Sequence, residues 1–183
     1  MSGAGVTWQF CRYLDALLGQ DKANKYLDLV AVGLVADMMS LLSYETKRLV
    51  EIGLNNDNII NPFLVYLIDK NQYKIKEKVT PTAVAFFIAP FINAIVRSGT
   101  DEEKDIIFKS MLNRFAFVLI PSNKRGHKQG EMEKIVEQAM RVATNVKARQ
   151  TRIQDQNMDL LINKIESENL LAHKVILLLM QPG

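Results

Sequence analysis

The sequence predicts a mainly α fold, a multi-helix bundle with a long connecting helix and a single C-terminal strand. Three observations carry this reading. Apolar residues recur at helical spacing, as in Trp8, Cys11, Leu14 and Leu18. Helix-start chemistry stands at Pro62, at Thr80-Pro81 and at Thr100 with Glu103 three residues on. Strand signals are scarce until the last ten residues.

In order, the first helix covers residues 8–18, and Gly19 can close it. Residues 25–42 read as a second helix, apolar around most of its circumference and therefore buried. A third spans 44–54, followed by a polar turn over 55–61. Pro62 then opens a helix to about Asp69, in the first-turn position where a missing N–H costs nothing. Thr80 as N-cap and Pro81 as first helical residue predict a helix to Arg97, stopped at Gly99. Pro90 lies inside it and should kink it, exposing carbonyls near Phe86 and Phe87.

The Thr100–Glu103 capping box starts a helix reaching about Arg114. Residues 121–130 form a polar, basic loop. Residues 131–168 give one long, charge-rich helical pattern with a candidate break near Asn157. Residues 174–180 read as a buried strand. A lone strand leaves its backbone groups unpaired, so it pairs with another chain or with a sheet in sequence outside this one. The Ser-Gly-Ala-Gly turn directly after Met1 is equally abrupt, and the chain reads as a fragment. The implied division is 1–118, a basic loop at 119–130, a connecting helix at 131–172 and the start of a further domain at 173–183.

At 183 residues and 48% apolar, the chain can bury a sizeable core, which excludes disorder. Its net charge is only +3, but residues 124–152 hold eight Lys or Arg against three Glu, a concentration that suits a polyanionic partner. Cys11 is the sole cysteine, so no internal disulfide can form and a reducing cytoplasm fits. No secretory leader is visible, and the longest apolar run falls short of a membrane span. A soluble, cytoplasmic protein is expected. His127 and His173 lie too far apart in sequence to form a local metal pair.

Asp37 is the only charge among residues 29–42. A carboxylate buried there must be paired, hydrogen-bonded or bound to a metal, because burying it bare costs several kcal/mol. It is the first candidate for chemistry.

Four blocks, in order, resemble the RecJ-type single-stranded-DNA exonucleases of the DHH phosphoesterase family. Ser2-Gly3-Ala4-Gly5-Val6 resembles the turn that follows that family's Asp-His-His motif. Tyr26 to Met38 resembles its Asp-Leu-Val-Ala-Leu-Gly-Thr-Val-Ala-Asp block, and this match is the most specific. Ile88-Ala89-Pro90-Phe91-Ile92-Asn93-Ala94-Ile95-Val96-Arg97 resembles a block near the substrate phosphates. Asn145 to Ile153 resembles the start of the connecting helix. The diverged third block and residues 121–127 look closer to phage-encoded members.

The resemblance implies the second half of a DHH-type α/β domain in a metal-dependent 5′ to 3′ exonuclease of recombination or repair, using Mn²⁺ or Mg²⁺. It makes Asp37 a metal ligand and Asn93 and Arg97 phosphate contacts. Phe91 and Val96 replace an Arg and a Gly of the family block. The Asp-rich motifs and the Asp-His-His triplet are absent, so this chain alone should be inactive and should need the missing N-terminal half as partner. Self-association through exposed apolar surface is also expected.

Each role has a plainer rival. Arg97 can complement its helix dipole, and Asn93 can be a buried amide bridging helices. Lys124, Arg125, His127 and Lys128 are DNA contacts or a solvated loop. Arg141, Lys147, Arg149 and Arg152 line a solvent-facing stripe or a strand-guiding groove, and Arg149 is carried forward as a DNA candidate. Phe86, Phe87, Phe91 and Phe115 stack bases or, more simply, fill the core. Asp28 shares a face with Asp37 only roughly and is not assigned as a ligand. The competing function is a non-catalytic helical module that binds DNA or protein.

Overall fold

The computed structural model describes residues 2–126, 128 and 130–172. Helix α1 (Gly3–Leu18) begins earlier than its apolar spacing indicates. The Ser2 hydroxyl accepts the Gly5 N–H at 3.3 Å, so the supposed Ser-Gly-Ala-Gly turn is a capped first turn of helix. Gly19 closes α1 with φ 62, as its sequence position anticipates.

A 3₁₀ turn (Ala23–Tyr26) leads into α2 (Leu27–Ala36). This helix stops six residues before the sequence pattern does. Met38 takes φ 52 and donates its N–H to the Val35 carbonyl, while the Met39 N–H reaches Leu34. These two bonds form a Schellman ending, built without the glycine that normally announces one. Helix α3 (Tyr44–Gly53) packs against α2. A Cβ on Gly53 would stand 2.1 Å from the Leu27 carbonyl oxygen, and one on Gly33 would stand 2.5 Å from the Ala4 Cβ. Both glycines let backbones approach, and α2 is clamped between α1 and α3.

Helix α4 (Pro62–Lys70) starts as expected, with Asn61 Oδ1 accepting from Phe63 and Leu64. Short α5 (Gln72–Ile75) follows, then α6 (Pro81–Ser98). Thr80 caps α6 through the Ala83 N–H at 3.1 Å. Pro90 offers no N–H to the Phe86 carbonyl, and the strain is taken up by a π-helical turn over Val84–Ile88 rather than by a break. By length and composition α6 passes for a membrane span, with mean hydropathy 1.4 over 18 residues. Val84, Ile88, Ala94 and Ile95 lie in the core, but only a third of the stretch is buried, and Phe86 and Val96 are exposed.

The Thr100–Glu103 capping box is formed at the head of α7 (Asp101–Met111), and α8 (Asn113–Ala116) is a separate turn. A hairpin that strand signals did not reveal then pairs β1 (Leu119–Pro121) antiparallel to β2 (Met132–Lys134). The long helix therefore begins at Ile135, not at 131. It runs unbroken as α9 (Ile135–Ser167), about 50 Å at 1.5 Å per residue. Ile135, Val136, Ala139, Ala143 and Val146 seat its first half against α4, α6 and α7, and its second half is largely exposed. A 3₁₀ turn (Leu170–Ala172) folds back on it. The strand expected at 174–180 and His173 lie outside the described residues. The fold is mainly α as expected, with its core centred on Phe63, Leu34, Leu64, Leu67, Ile88 and Val136.

The exposed apolar surface is not where the sequence placed it. Helix α2 is covered by its own neighbours. Instead α1 leaves Val6, Phe10, Tyr13 and Leu17 uncovered, and the turn after α2 leaves Met38 and Leu42.

Candidate functional site

Asp37 is exposed, not embedded. The Schellman ending places it at the C-cap of α2, with φ −84 and ψ 8, beside Met38 and Leu42, which are themselves 91% and 98% exposed. The burial premise for Asp37 is thus overturned. Reading α2 straight through to Leu42 buried a residue that the chain reversal turns out. The buried carboxylate is Asp28, at 1% exposure in the first turn of α2. Its Oδ1 accepts from Leu29 at 2.7 Å, and Oδ2 accepts from Ile60 at 3.1 Å and Asn61 at 2.8 Å. Three backbone donors satisfy the carboxylate without a metal, and they staple α2 to the head of α4.

Asn93 and Arg97 are both exposed on α6, four residues apart and therefore on one face. The buried-bridge alternative for Asn93 is excluded by its exposure. Arg97 stands in the last turn, where a cation also complements the helix dipole. Of the aromatics, Phe87 and Phe91 pack on the core, whereas Phe86 is 69% exposed, against the core-filling expectation.

Lys124, Arg125 and Lys128 are exposed in the loop between β1 and β2, which presents them clear of the helical body. The arginines of α9 behave differently from a solvent-facing stripe. Arg141 forms a bidentate pair with Glu133 of β2 and also donates to Asn123 Oδ1 at 2.8 Å. Arg149 grips Glu103 through both guanidinium nitrogens, at 3.1 and 2.8 Å, and donates to the Ser98 carbonyl at 3.0 Å. Hydrogen bonding to the arginine is the main reason that each glutamate is held below the usual carboxylate range, and each guanidinium is held more firmly protonated in return. Arg149 is therefore a tie between α9 and the α6–α7 junction. Three of its five N–H donors are engaged there, and the side chain remains partly exposed.

The candidates sit on separate elements: Asp37 ends α2, Asn93 and Arg97 lie on α6, and the basic loop joins the hairpin. Among the described residues no group of three or more His, Cys, Asp or Glu side chains is placed to hold a metal ion. The described residues do not by themselves assemble a Mn²⁺ or Mg²⁺ site, and Asp37 presents a single accessible carboxylate.

No family model matches the chain. Two curated relatives match it at 34% identity over 177 residues, 97% of this chain: the SPbeta prophage-derived YorK of Bacillus subtilis (strain 168) and the yorK product of Bacillus phage SPbeta. Both carry names that assign them as single-strand DNA-specific exonucleases. The chain spans 30% of the length of these relatives. It is thus, over nearly all its own length, a relative of phage proteins named as single-strand DNA-specific exonucleases.

Proposed function

We propose that this chain is one portion of a RecJ-like, metal-dependent 5′ to 3′ single-stranded-DNA exonuclease acting in recombination or repair, and that it does not cleave DNA alone. The observation that carries the nuclease part of the proposal is the 34% identity across 97% of the chain to proteins named as single-strand DNA-specific exonucleases; its finer terms rest on the four sequence blocks. The structure is compatible in two respects. Asp37 closes the block of strongest resemblance, and its carboxylate is accessible to the rest of a larger protein. Asn93 and Arg97 share an exposed helix face on which a donor amide and a guanidinium can meet phosphate oxygens.

In this reading Asp37 supplies one ligand of a site completed by residues outside the chain. Asn93 orients the phosphate, and Arg97 neutralises it. Lys124, Arg125 and Lys128 add sequence-independent attraction for the strand. The lack of a complete metal cluster among the described residues also favours a second reading, a non-catalytic helical module that binds DNA or protein. The reading frame upstream of Met1 separates the two: an encoded Asp-His-His triplet supports the enzyme, and a true start codon without one supports the module.

The test is cleavage of 5′-labelled single-stranded oligonucleotide by the complete parent, compared with its Asp37→Ala variant and with the 183-residue chain. Loss of metal-dependent cleavage in the variant and no cleavage by the chain are expected. Full activity in Asp37→Ala removes Asp37 from the site, and cleavage by the chain alone overturns its dependence on further sequence.

A further inference from the structure

From the end of α5 toward α6 the sequence reads Lys74, Ile75, Lys76, Glu77, Lys78, Val79. Ile75 and Val79 are buried, and the three lysines are exposed. They line a cleft of about 650 Å³ together with Thr80, Thr82 and Phe87. Lys74 Nζ stands 5.6 Å from the centroid of the Phe87 ring. None of the three ammonium groups enters an ion pair among the described residues, and Glu77 is the one acid on the lining.

The backbone here is held in an unusual shape. Lys76 has φ 60 and ψ −148, a region that glycine occupies freely and that a side chain makes costly. A lysine stands where glycine would relieve strain. Its neighbours supply two more cations, two hydroxyls and an aromatic wall around one opening.

We infer that this cleft is a second contact surface for single-stranded DNA, in which Lys74, Lys76 and Lys78 bind backbone phosphates along a lining that holds a single acid, Glu77. Ammonium groups outside any ion pair among the described residues attract consecutive phosphates whatever the base sequence. The inference rests on the reading of the chain as part of a single-stranded-DNA exonuclease and places substrate contacts outside the blocks that suggested it.

The test is fluorescence anisotropy of a labelled oligothymidylate, titrated with the 183-residue chain across a salt series. A triple variant, Lys74→Ala, Lys76→Ala and Lys78→Ala, is compared with a charge-matched control, Lys47→Ala, Lys109→Ala and Lys164→Ala. Circular dichroism confirms that both fold. The loop variant should bind at least about tenfold more weakly, and its log K against log salt should be shallower by about two, at roughly 0.7 per lost phosphate contact. The control should keep the wild-type slope. Equal weakening in both triples, wild-type binding by the loop variant, or no binding by the wild-type chain each overturns the inference. The exonuclease reading survives any of these, because it is decided separately by cleavage in the parent and its Asp37→Ala variant.

Discussion

Arg149 and Glu103, 46 residues apart in the chain, meet through two parallel hydrogen bonds that fasten the middle of α9 to the first turn of α7. The same guanidinium also donates to the Ser98 carbonyl at the end of α6. One side chain thus joins three helices at the point where α9 leaves the core.

The pair is partly exposed, with side-chain exposures of 43% and 22%, so solvent screens it. Arg149→Ala should destabilise the chain by no more than about 1 kcal/mol in urea titration. It should also change the acid response. Glu103 is held below its ordinary range chiefly by Arg149. A depressed carboxylate adds stability above its unfolded value, about 4.3, and loses it as pH falls through the lower folded value. The free energy of unfolding, measured from pH 5 downward, should fall off less steeply in Arg149→Ala than in wild type.

Arg141→Ala should cost more. Glu133 is 5% exposed and also receives Gln138 Nε2 at 3.3 Å and the Asn123 N–H at 3.4 Å. Removing the arginine strands that carboxylate away from water, at a cost of about 2–3 kcal/mol. Because Glu133 too is held low mainly by its arginine, Glu133→Gln should remove part of the stability lost on acidification. Hydrogen exchange should show the hairpin at 119–121 and 132–134 opening first in either variant.

The two aspartates of the α2 segment should separate cleanly. Asp28→Ala leaves the Ile60 and Asn61 N–H groups without their acceptor and should cost about 2–3 kcal/mol. Asp37→Ala removes an exposed side chain and should leave the urea midpoint within about 0.5 kcal/mol of wild type. A large loss in Asp37→Ala would mean that the carboxylate carries structure rather than chemistry.

Met38 and Lys76 both hold positive φ, at 52 and 60, without being glycine. Met38→Gly and Lys76→Gly should each raise the melting temperature, by relieving about 1 kcal/mol of backbone strain. An unchanged or lower melting temperature in Lys76→Gly would show that the side chain supports the loop rather than straining it.

Much of the architecture is written locally. Thr80, Pro81, Thr100, Glu103, Asn61, Pro62 and Gly19 act on backbone groups within a turn of themselves, and each helix boundary they mark is present. The end of α2 was illegible because Met38, not glycine, takes the left-handed position, and nothing in a methionine signals that reversal. The hairpin was missed because three-residue strands hold too few residues to show alternation. Both errors reached the candidate site. One gave Asp37 a burial it does not have, and the other hid the partner that claims Arg141.

By itself the sequence determined the helical class, most helix starts and the blocks that tie the chain to single-strand exonucleases, since caps, periodicity and residue order are properties of neighbouring positions. Only the tertiary structure decided which charges are free. It joined Glu103 to Arg149 and Glu133 to Arg141, buried Asp28 on three backbone donors, and left Asp37, Arg97 and the lysines at 74, 76 and 78 exposed. Whether a charged group faces water, a partner or a substrate depends on what folds against it from distant sequence.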